Sequence, residues 1–406
     1  MARHAKAPAK AKAAPEKSGA AAANRDRLAQ LGAVANKFGA WRPAPEVLRE
    51  VSVVPTRFIQ YDLASGVGGH PLARFTLLHG PSSEGKSEFL LGVGCSFLER
   101  GHYFAMIDAE RTTPASWVRK LGGEAALSPG FLALPVTTYE QVREEVRRLC
   151  DGIAAERARG KLPSDTTALI GVDSIRKLVP KRLWEALSKA VAADEDDANA
   201  KRKGRKAKDT GIDGIGGRAG QIKAALNAAW VDELVPLLAD TNTTMIVISR
   251  ETKDADAGLY DREWKVGGGS ALFYDSSLAI RATRTYVTME VNDKPVTVGE
   301  KHRLEIFKTK VSGRRTRTTA GNYYTSNGVL IPAGFDPYRD ALELLVGAGL
   351  AEAKGGGWLV WQGKRLGQGI HSAVKRLHGD PALWAAVAAD ARKFVEEQIR
   401  AEEAPR

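Results

Sequence analysis

The feature that most constrains this chain is the run Gly-Pro-Ser-Ser-Glu-Gly-Lys-Ser at residues 80–87. Its spacing fits the pattern of a phosphate-binding loop, in which a lysine and a hydroxyl follow the second of two glycines. An apolar, strand-like run precedes it at residues 74–79, and a run with apolar residues at helical spacing follows it at 88–93. Strand, glycine loop and helix together aim backbone N–H groups at phosphate oxygens. The sequence therefore predicts a nucleoside triphosphate site here, whereas the bare pattern alone would also fit a glycine-rich turn.

The phosphate-loop pattern predicts a role for each of its key residues. Gly80 and Gly85 allow the backbone to curl around the phosphates. Lys86 is expected to place its charge on the β- and γ-phosphates, and Ser87 to coordinate Mg²⁺ through its hydroxyl. The predicted nucleotide-binding residues of the loop are Gly80, Pro81, Ser82, Ser83, Glu84, Gly85, Lys86, Ser87 and Glu88.

Polar side chains follow the other predicted strands. Three further apolar strands are predicted, at residues 101–107, 168–172 and 243–248. Glu110 follows the first of them closely, Asp173 ends the second, and Arg250 follows the third. Because the carboxyl ends of parallel strands meet at one edge, these side chains are expected beside the phosphate loop, where a carboxylate can activate water and another can hold Mg²⁺. The pattern predicts a doubly wound α/β sheet with its site at that edge.

Composition agrees with a nucleic-acid partner without demanding one. The chain has 406 residues, a formal net charge of +12 and two cysteines outside any metal-binding spacing. A basic balance favours polyanions, and sparse cysteine usage is typical of a reduced, intracellular protein. No run of eighteen apolar residues is present to suggest a membrane span. We therefore expect an intracellular, cytoplasmic protein.

The order and wording of several segments resemble the RecA recombinases. The resemblance covers roughly residues 25–400 outside one insertion. It implies a RecA-type P-loop ATPase core that uses ATP and Mg²⁺. It also implies a location in a bacterial nucleoid or a phage-infected cell. The segments that carry it are the phosphate loop, Ile-Asp-Ala-Glu at 107–110, Trp-Val-Arg-Lys-Leu-Gly at 117–122, Val-Asp-Ser at 172–174, Gly-Gly-Ser-Ala-Leu at 268–272, and Ile-Phe-Lys-Thr-Lys at 306–310.

The resemblance also implies a domain organisation. A basic, alanine-rich tail comes first, and its composition predicts disorder. A helix and strand that pack onto a neighbouring protomer follow, and a contact of that kind builds an open helical filament. An ATPase core and a small C-terminal α/β module that binds DNA complete the chain. The corresponding residues are 1–23, 24–49, 50–330 with an insertion at about 182–210, and 331–406.

The resemblance implies catalytic roles for individual residues of this chain. Glu110 matches the catalytic glutamate, and Trp117 matches the aromatic residue that stacks on adenine, although a core tryptophan is the alternative. Lys308 and Lys310 match a lysine pair that acts on the neighbouring subunit's ATP; two lysines on a solvated strand face are the alternative. Arg250 stands where the family has a glutamine that contacts the γ-phosphate, and arginine can also meet a phosphate.

Two polar segments match the family's DNA-binding loops. The first ends in a glycine-rich stretch that leads into a helix, and it carries a charged insertion that reads either as a solvated linker or as extra phosphate contact. The second, at residues 251–267, interleaves cations with aromatic rings, a pattern that suits single-stranded DNA. The predicted DNA-binding residues are Gly216, Gly217, Arg218 and Lys223 in the first segment, Tyr260, Arg262, Trp264, Lys265 and Gly268 in or beside the second, and Lys364 and Arg365 in the C-terminal module.

Together these expectations describe an ATP-dependent homologous recombinase. Such a protein forms filaments on single-stranded DNA, pairs it with a homologous duplex and exchanges strands. An accessory or regulatory RecA-like protein that binds DNA without exchanging strands is the first alternative, which Arg250 and the insertion keep open. A hexameric helicase is the second, and the N-terminal helix and C-terminal module disfavour it.

Overall fold

The computed structural model describes residues 25–30, 34, 50–136, 138–185, 212–253, 264–313 and 319–403. The chain divides into two compact units, Met1–Val51 and Ser52–Arg406. In the first unit, the described residues 25–30 and 34 are helical, within the segment 24–49 where a helix is expected. The remaining elements belong to the second unit.

The second unit is an α/β structure. Its strands are β1 (Val53–Val54), β2 (His70–Pro71), β3 (Phe75–Gly80), β4 (Tyr103–Asp108), β5 (Phe131–Ala133), β6 (Ala168–Asp173), β7 (Thr244–Lys253), β8 (Trp264–Val266), β9 (Leu278–Val291), β10 (Lys294–Thr309), β11 (Thr319–Ser326), β12 (Gly334–Phe335), β13 (Ala351–Lys354), β14 (Trp358–Trp361) and β15 (Lys364–Gln368). Its helices are α1 (Ile59–Ser65), α2 (Lys86–Leu98), α3 (Ala115–Gly122), α4 (Tyr139–Ala158), α5 (Ile212–Thr241), α6 (Ala271–Asp275), α7 (Pro337–Gly347), α8 (Gly369–Gly379) and α9 (Pro381–Glu403).

One large sheet organises the unit. Its strand order is β12-β11-β10-β9-β3-β7-β6-β4-β5, and β8 pairs with β7 off this path. The strands from β9 through β3, β7, β6 and β4 to β5 pair in parallel, whereas β9, β10, β11 and β12 pair antiparallel. The predicted doubly wound sheet is therefore confirmed, and an antiparallel extension completes it. The carboxyl ends of β3, β4, β6 and β7 lie along one edge.

Both faces of the parallel strands are covered by helices and buried. On one face, Leu77, Ile107 and Val172 share a core with residues of α4 and α5. The residues between them along each strand face the opposite side, because successive side chains of a strand alternate. There α2 packs so closely that a Cβ on Gly171 of β6 would lie 2.6 Å from Leu90. Burial on both faces explains the near-continuous apolar runs from which these strands were predicted.

The C-terminal elements form a second, smaller sheet with its own helices in the same unit. A three-stranded antiparallel sheet of β13, β14 and β15 is covered by α7, α8 and α9. Its core includes Trp361, Leu366 and Val387, and it also includes Ile59 of α1. Asp336 caps α7 by accepting a hydrogen bond from the Arg339 backbone N–H at 3.0 Å, which explains why the helix begins at Pro337.

Among the described residues, no helix combines the length and the apolar character needed to cross a membrane. The helix α9 runs for 23 residues, but it alternates buried and exposed positions along its length. Its apolar positions, including Val387, Ala391 and Val395, face the core of the C-terminal elements. The long final helix is therefore an amphipathic packing element.

Candidate nucleotide and nucleic-acid site

The loop between β3 and α2 has the geometry that the phosphate-loop pattern predicts. Gly80 and Gly85 both have positive φ angles, 148° and 84°. A Cβ at Gly80 would lie 2.4 Å from the backbone oxygen of Ala282, and one at Gly85 would lie 2.2 Å from Nδ1 of His302. Both positions therefore require glycine, through the backbone angle and through the close approach of a neighbour. Tyr323 fixes the loop further, donating its hydroxyl to the Gly85 carbonyl at 2.6 Å.

Lys86 lies over this loop. Its Nζ donates to the carbonyl oxygen of Gly80 at 3.2 Å and to that of Pro81. Burial lowers the pKa of Lys86, while the carboxylate of Asp173 opposes that shift. The ammonium group is thus held at the mouth of the loop by carbonyl contacts that a phosphate group can replace.

Ser87 and Asp173, the two residues predicted to hold Mg²⁺, contact each other. The Ser87 hydroxyl, in the first turn of α2, donates to Oδ2 of Asp173 at the end of β6. Burial raises the pKa of Asp173 to about 6, partly offset by that hydrogen bond, and the nearby charges of Glu110 and Asp108 raise it further. Two oxygen donors in contact, one of them a carboxylate, fit a hard divalent cation such as Mg²⁺. A cation would also relieve the crowding of carboxylates at this edge.

Glu110 and Arg250 meet across the same edge. One guanidinium nitrogen of Arg250 donates to both Glu110 oxygens at 2.9 Å, and the Ser174 hydroxyl donates to the same carboxylate at 2.9 Å. Asp108, two residues before Glu110, accepts the backbone N–H groups of Arg111 at 2.8 Å and Thr113 at 3.0 Å. Asp108 therefore shapes the turn after β4, and that turn presents Glu110 to the cleft.

These groups line one cleft of about 270 Å³. The sequence-predicted residues from Ser82 to Glu88 line it, together with Glu110, Trp117, Asp173 and Arg250. Gly80 and Pro81 contribute the loop backbone that holds Lys86. The sequence reasoning missed Thr112, Ser174, Ile248 and Arg284 in the lining. Ser174 follows Asp173 directly and could have been found, whereas Arg284 lies on β9, in the part that pairs with β10, and belongs to no local motif.

Trp117 stands between this cleft and a second one. The second cleft has a volume of about 260 Å³, and Trp117 and Glu88 line both. Thr325 and Asn327 lie on the far side of the second cleft. Trp117 is half-buried, with its ring at the junction of two cavities and outside the large apolar core, which is the placement expected for a stacking surface.

Lys308 and Lys310 lie away from the cleft of their own chain. The Nζ of Lys308 donates to the carbonyl of Phe273 at 2.8 Å and to that of Tyr274, and the Nζ of Lys310 donates to the Tyr274 carbonyl at 3.1 Å. Burial lowers the pKa of Lys308 to about 8, and the charge of Lys310 lowers it further. The two ammonium groups are thus gathered at α6, and neither lines the nucleotide cleft of its own chain.

The structure places some of the predicted DNA-binding residues and does not describe others. Gly216, Gly217 and Arg218 lie within α5, which begins at Ile212, so the expected glycine loop is helical at these positions. Lys223 donates to the Arg176 carbonyl at 2.8 Å, and burial together with Arg176 and Lys177 lowers its pKa. Tyr260 and Arg262 lie outside the described residues.

The remaining members of the predicted set are placed individually. Lys265 is exposed on β8, whereas Trp264 packs its ring against His79 and Phe307. Gly268 accepts a hydrogen bond from the buried side chain of Asn227. Lys364 and Arg365 are exposed on β15, each with its cation near a tryptophan ring, that of Trp361 and that of Trp358 respectively, at 5.9 and 5.2 Å.

Comparison with known proteins gives a consistent result. The family model described as the RecA N-terminal domain matches residues 37–187. The chain is 26% identical to Protein RecA of Thermus thermophilus over 335 residues, which cover 82% of this chain and 83% of that protein. It is 27% identical to Protein RecA of Leifsonia xyli over 361 residues, 89% and 86% of the two chains. It is 26% identical to Protein RecA of an Arthrobacter species over 372 residues, 92% and 90%. A matching N-terminal domain model and relatives that span most of the chain together support a RecA-family protein.

Proposed function

We propose that this chain is an ATP-dependent homologous recombinase that polymerises on single-stranded DNA and exchanges strands with a homologous duplex. The observation that carries the proposal is the cleft, in which Lys86, Ser87, Asp173 and Glu110 meet at one sheet edge. Similarity to the RecA proteins supports ATPase and recombinase chemistry at the level of that family. The finer assignment to strand exchange is our inference from the site and from the predicted DNA segments.

In this proposal the loop backbone binds the β- and γ-phosphates of ATP, with Lys86 adding its charge. Ser87 and Asp173 hold Mg²⁺, which supplies charge neutralisation at the phosphates when bound. Trp117 offers its ring to the base, since it separates the phosphate cleft from the neighbouring one. Glu110 orients and deprotonates the attacking water, as a carboxylate at the edge of the phosphate cleft can.

Arg250 links nucleotide binding to activation of Glu110. In the structure its guanidinium holds the Glu110 carboxylate at 2.9 Å, which competes with the use of that carboxylate as a base. A γ-phosphate in the same cleft offers Arg250 a stronger, doubly charged partner. We infer that ATP draws Arg250 away and leaves Glu110 able to bind water, with Ser174 keeping the carboxylate in place.

The second half of the active site comes from a neighbouring copy. Lys308 and Lys310 present two ammonium groups outside their own cleft, a placement that supports action on the ATP of an adjacent subunit. Stabilisation of charge in the transition state by a cation supplied in trans makes hydrolysis depend on assembly. The predicted second DNA segment, residues 251–267, begins on the strand that carries Arg250, so DNA and ATP are read by adjoining parts of the chain.

Electron microscopy with single-stranded DNA and a non-hydrolysable ATP analogue tests the proposal. Extended helical filaments are expected with the unmodified chain and none with Lys86→Ala, because removal of the phosphate-loop lysine abolishes nucleotide binding. A strand-exchange assay with homologous duplex then separates the alternatives. Discrete particles without exchange would support an accessory protein, and closed rings would support a helicase; either result overturns the recombinase assignment.

A further inference from the structure

A buried polar junction lies beside the nucleotide cleft and is built from His79, Glu251, Arg281 and Trp264. The carboxylate of Glu251 contacts Nδ1 of His79 at 2.8 Å and accepts hydrogen bonds from Nε of Arg281 at 2.8 Å and from a terminal guanidinium nitrogen at 3.1 Å. The side chain of His79 is fully buried and that of Glu251 is 6% exposed. Such a network is costly to bury unless each group is satisfied, so it specifies one arrangement of its members.

The indole of Trp264 closes this junction. Its ring centroid lies 4.8 Å from that of His79 and 5.5 Å from that of Phe307, and the Arg281 guanidinium lies 5.3 Å from the ring centroid. The ring that the sequence assigned to base stacking is therefore engaged inside the chain. Its contacts extend from the phosphate-loop strand to Phe307, the residue before Lys308.

The junction joins the structural elements that the reaction must coordinate. His79 immediately precedes Gly80 of the phosphate loop, and in the sheet it lies beside Ser249 on one side and Arg281 on the other. Glu251 follows Arg250 on β7. Glu251 and Trp264 also stand on the two strands that flank residues 254–263, which pair antiparallel with Lys253 opposite Trp264. Both sides of the predicted second DNA segment are thus tied to the strand that ends in the phosphate loop.

We propose that Glu251 is a positioning residue that fixes the base of the second DNA segment against the phosphate-loop strand, so that single-stranded DNA bound there accelerates ATP hydrolysis. The inference rests on the proposed function and deepens it. Glu251 touches neither nucleotide nor DNA in this proposal. It acts through His79, which leads into the phosphate loop, and through Arg281 and Trp264, which hold the returning strand.

The test compares ATP hydrolysis by full-length Glu251→Gln and the unmodified chain, with and without oligo-deoxythymidine. Glutamine keeps the shape of the side chain and removes the charge that faces His79 and Arg281. DNA-stimulated kcat is expected to fall about five-fold or more, a typical size for coupling between sites. Hydrolysis without DNA, KM for ATP and the half-saturating DNA concentration are expected to change less. A surface change of the same kind, Glu156→Gln in the exposed pair with Arg159, is the control.

A second variant keeps the inference falsifiable if Glu251→Gln folds poorly. Trp264→Ala is expected to lower DNA-stimulated kcat more than it weakens DNA binding. If the ring instead stacks on a base, DNA affinity falls about five-fold or more and the inward role of Trp264 is overturned. Normal DNA stimulation in a well-folded Glu251→Gln overturns the inference alone. Absence of DNA stimulation in the unmodified chain overturns the proposed function and this inference with it.

Discussion

Two neighbouring residues near the end of β7, Arg250 and Glu251, each belong to an acid–arginine pair. The two pairs differ in their exposure to solvent. Arg250 reaches Glu110 at the cleft, where 36% of the arginine side chain and 16% of the glutamate side chain are exposed. The next residue, Glu251, turns to the other face of the strand, where it is 6% exposed and bound by both His79 and Arg281. The first pair can exchange its partner for a phosphate, whereas breaking the second leaves a charge buried without compensation. One strand thus carries a movable contact and a fixed one.

The largest effect is expected from the movable pair. Glu110→Gln should bind ATP but hydrolyse it about 10²–10⁴-fold more slowly, because the amide cannot take a proton from water. Filaments on DNA should persist for correspondingly longer. Turnover with saturating single-stranded DNA, alongside binding of a fluorescent ATP analogue, measures both quantities. Glu124→Gln, at an exposed position, is the control; near-normal turnover in Glu110→Gln would remove Glu110 as the base.

Arg250 should show the next largest effect. Arg250→Ala loses the contact to phosphate and should lower DNA-stimulated hydrolysis by about 10²-fold. Arg250→Gln should recover part of that loss, since the amide can donate to a phosphate but cannot form an ion pair with Glu110. Parallel kcat measurements on the two variants test the order. Equal rates in Arg250→Ala and the unmodified chain would show that this arginine does not contact the reacting phosphate.

The free energy of unfolding should respond more to a change in the Glu251 pair than to a change in the Glu110 pair, the reverse of the order expected for hydrolysis. Glu251→Gln is expected to lower the free energy of unfolding by about 1–3 kcal/mol, because it weakens two hydrogen bonds to a buried carboxylate. Glu110→Gln also weakens hydrogen bonds from Arg250 and Ser174, but water in the cleft can replace them, so the expected loss is smaller, about 1 kcal/mol or less. Urea unfolding followed by circular dichroism measures both differences. Equal destabilisation by the two variants would contradict the division into a fixed and a movable pair.

The sequence predicted the sheet and the cleft well because both rest on local signals. The phosphate-loop pattern requires glycine at positions 80 and 85. The structure shows why, since both residues have positive φ angles and close neighbours. Strands buried on both faces read as apolar runs, and a polar residue at each carboxyl end places Glu110 and Asp173 at the cleft. These are properties of short segments, so they survive without knowledge of the tertiary structure.

The contacts that the sequence did not predict join residues that are far apart along the chain. Arg284 lines the cleft from β9, far along the chain from the phosphate loop, and the partners of Glu251 lie 172 and 30 residues away. Trp264 sits among cations and aromatics, a pattern typical of DNA contact, but the sheet brings His79 and Phe307 beneath its ring. Helix α5 likewise extends through Gly216 and Gly217, where glycine content predicted a loop. In each case tertiary packing overrides the local pattern.

The smallest effect concerns the acidity of the fixed pair. Burial alone would raise the pKa of Glu251, but hydrogen bonds from His79 and Arg281 bring it below its ordinary value of 4.5. A carboxylate with a depressed folded-state pKa contributes stability that is fully present above its unfolded pKa and is lost as pH falls through the folded value. The stability difference between the unmodified chain and Glu251→Gln should therefore be largest near neutral pH and shrink below about pH 4.5. Urea unfolding of both proteins between pH 7 and about pH 4 measures it, and a difference that grows with acidity would show that the carboxylate is not held in its charged form.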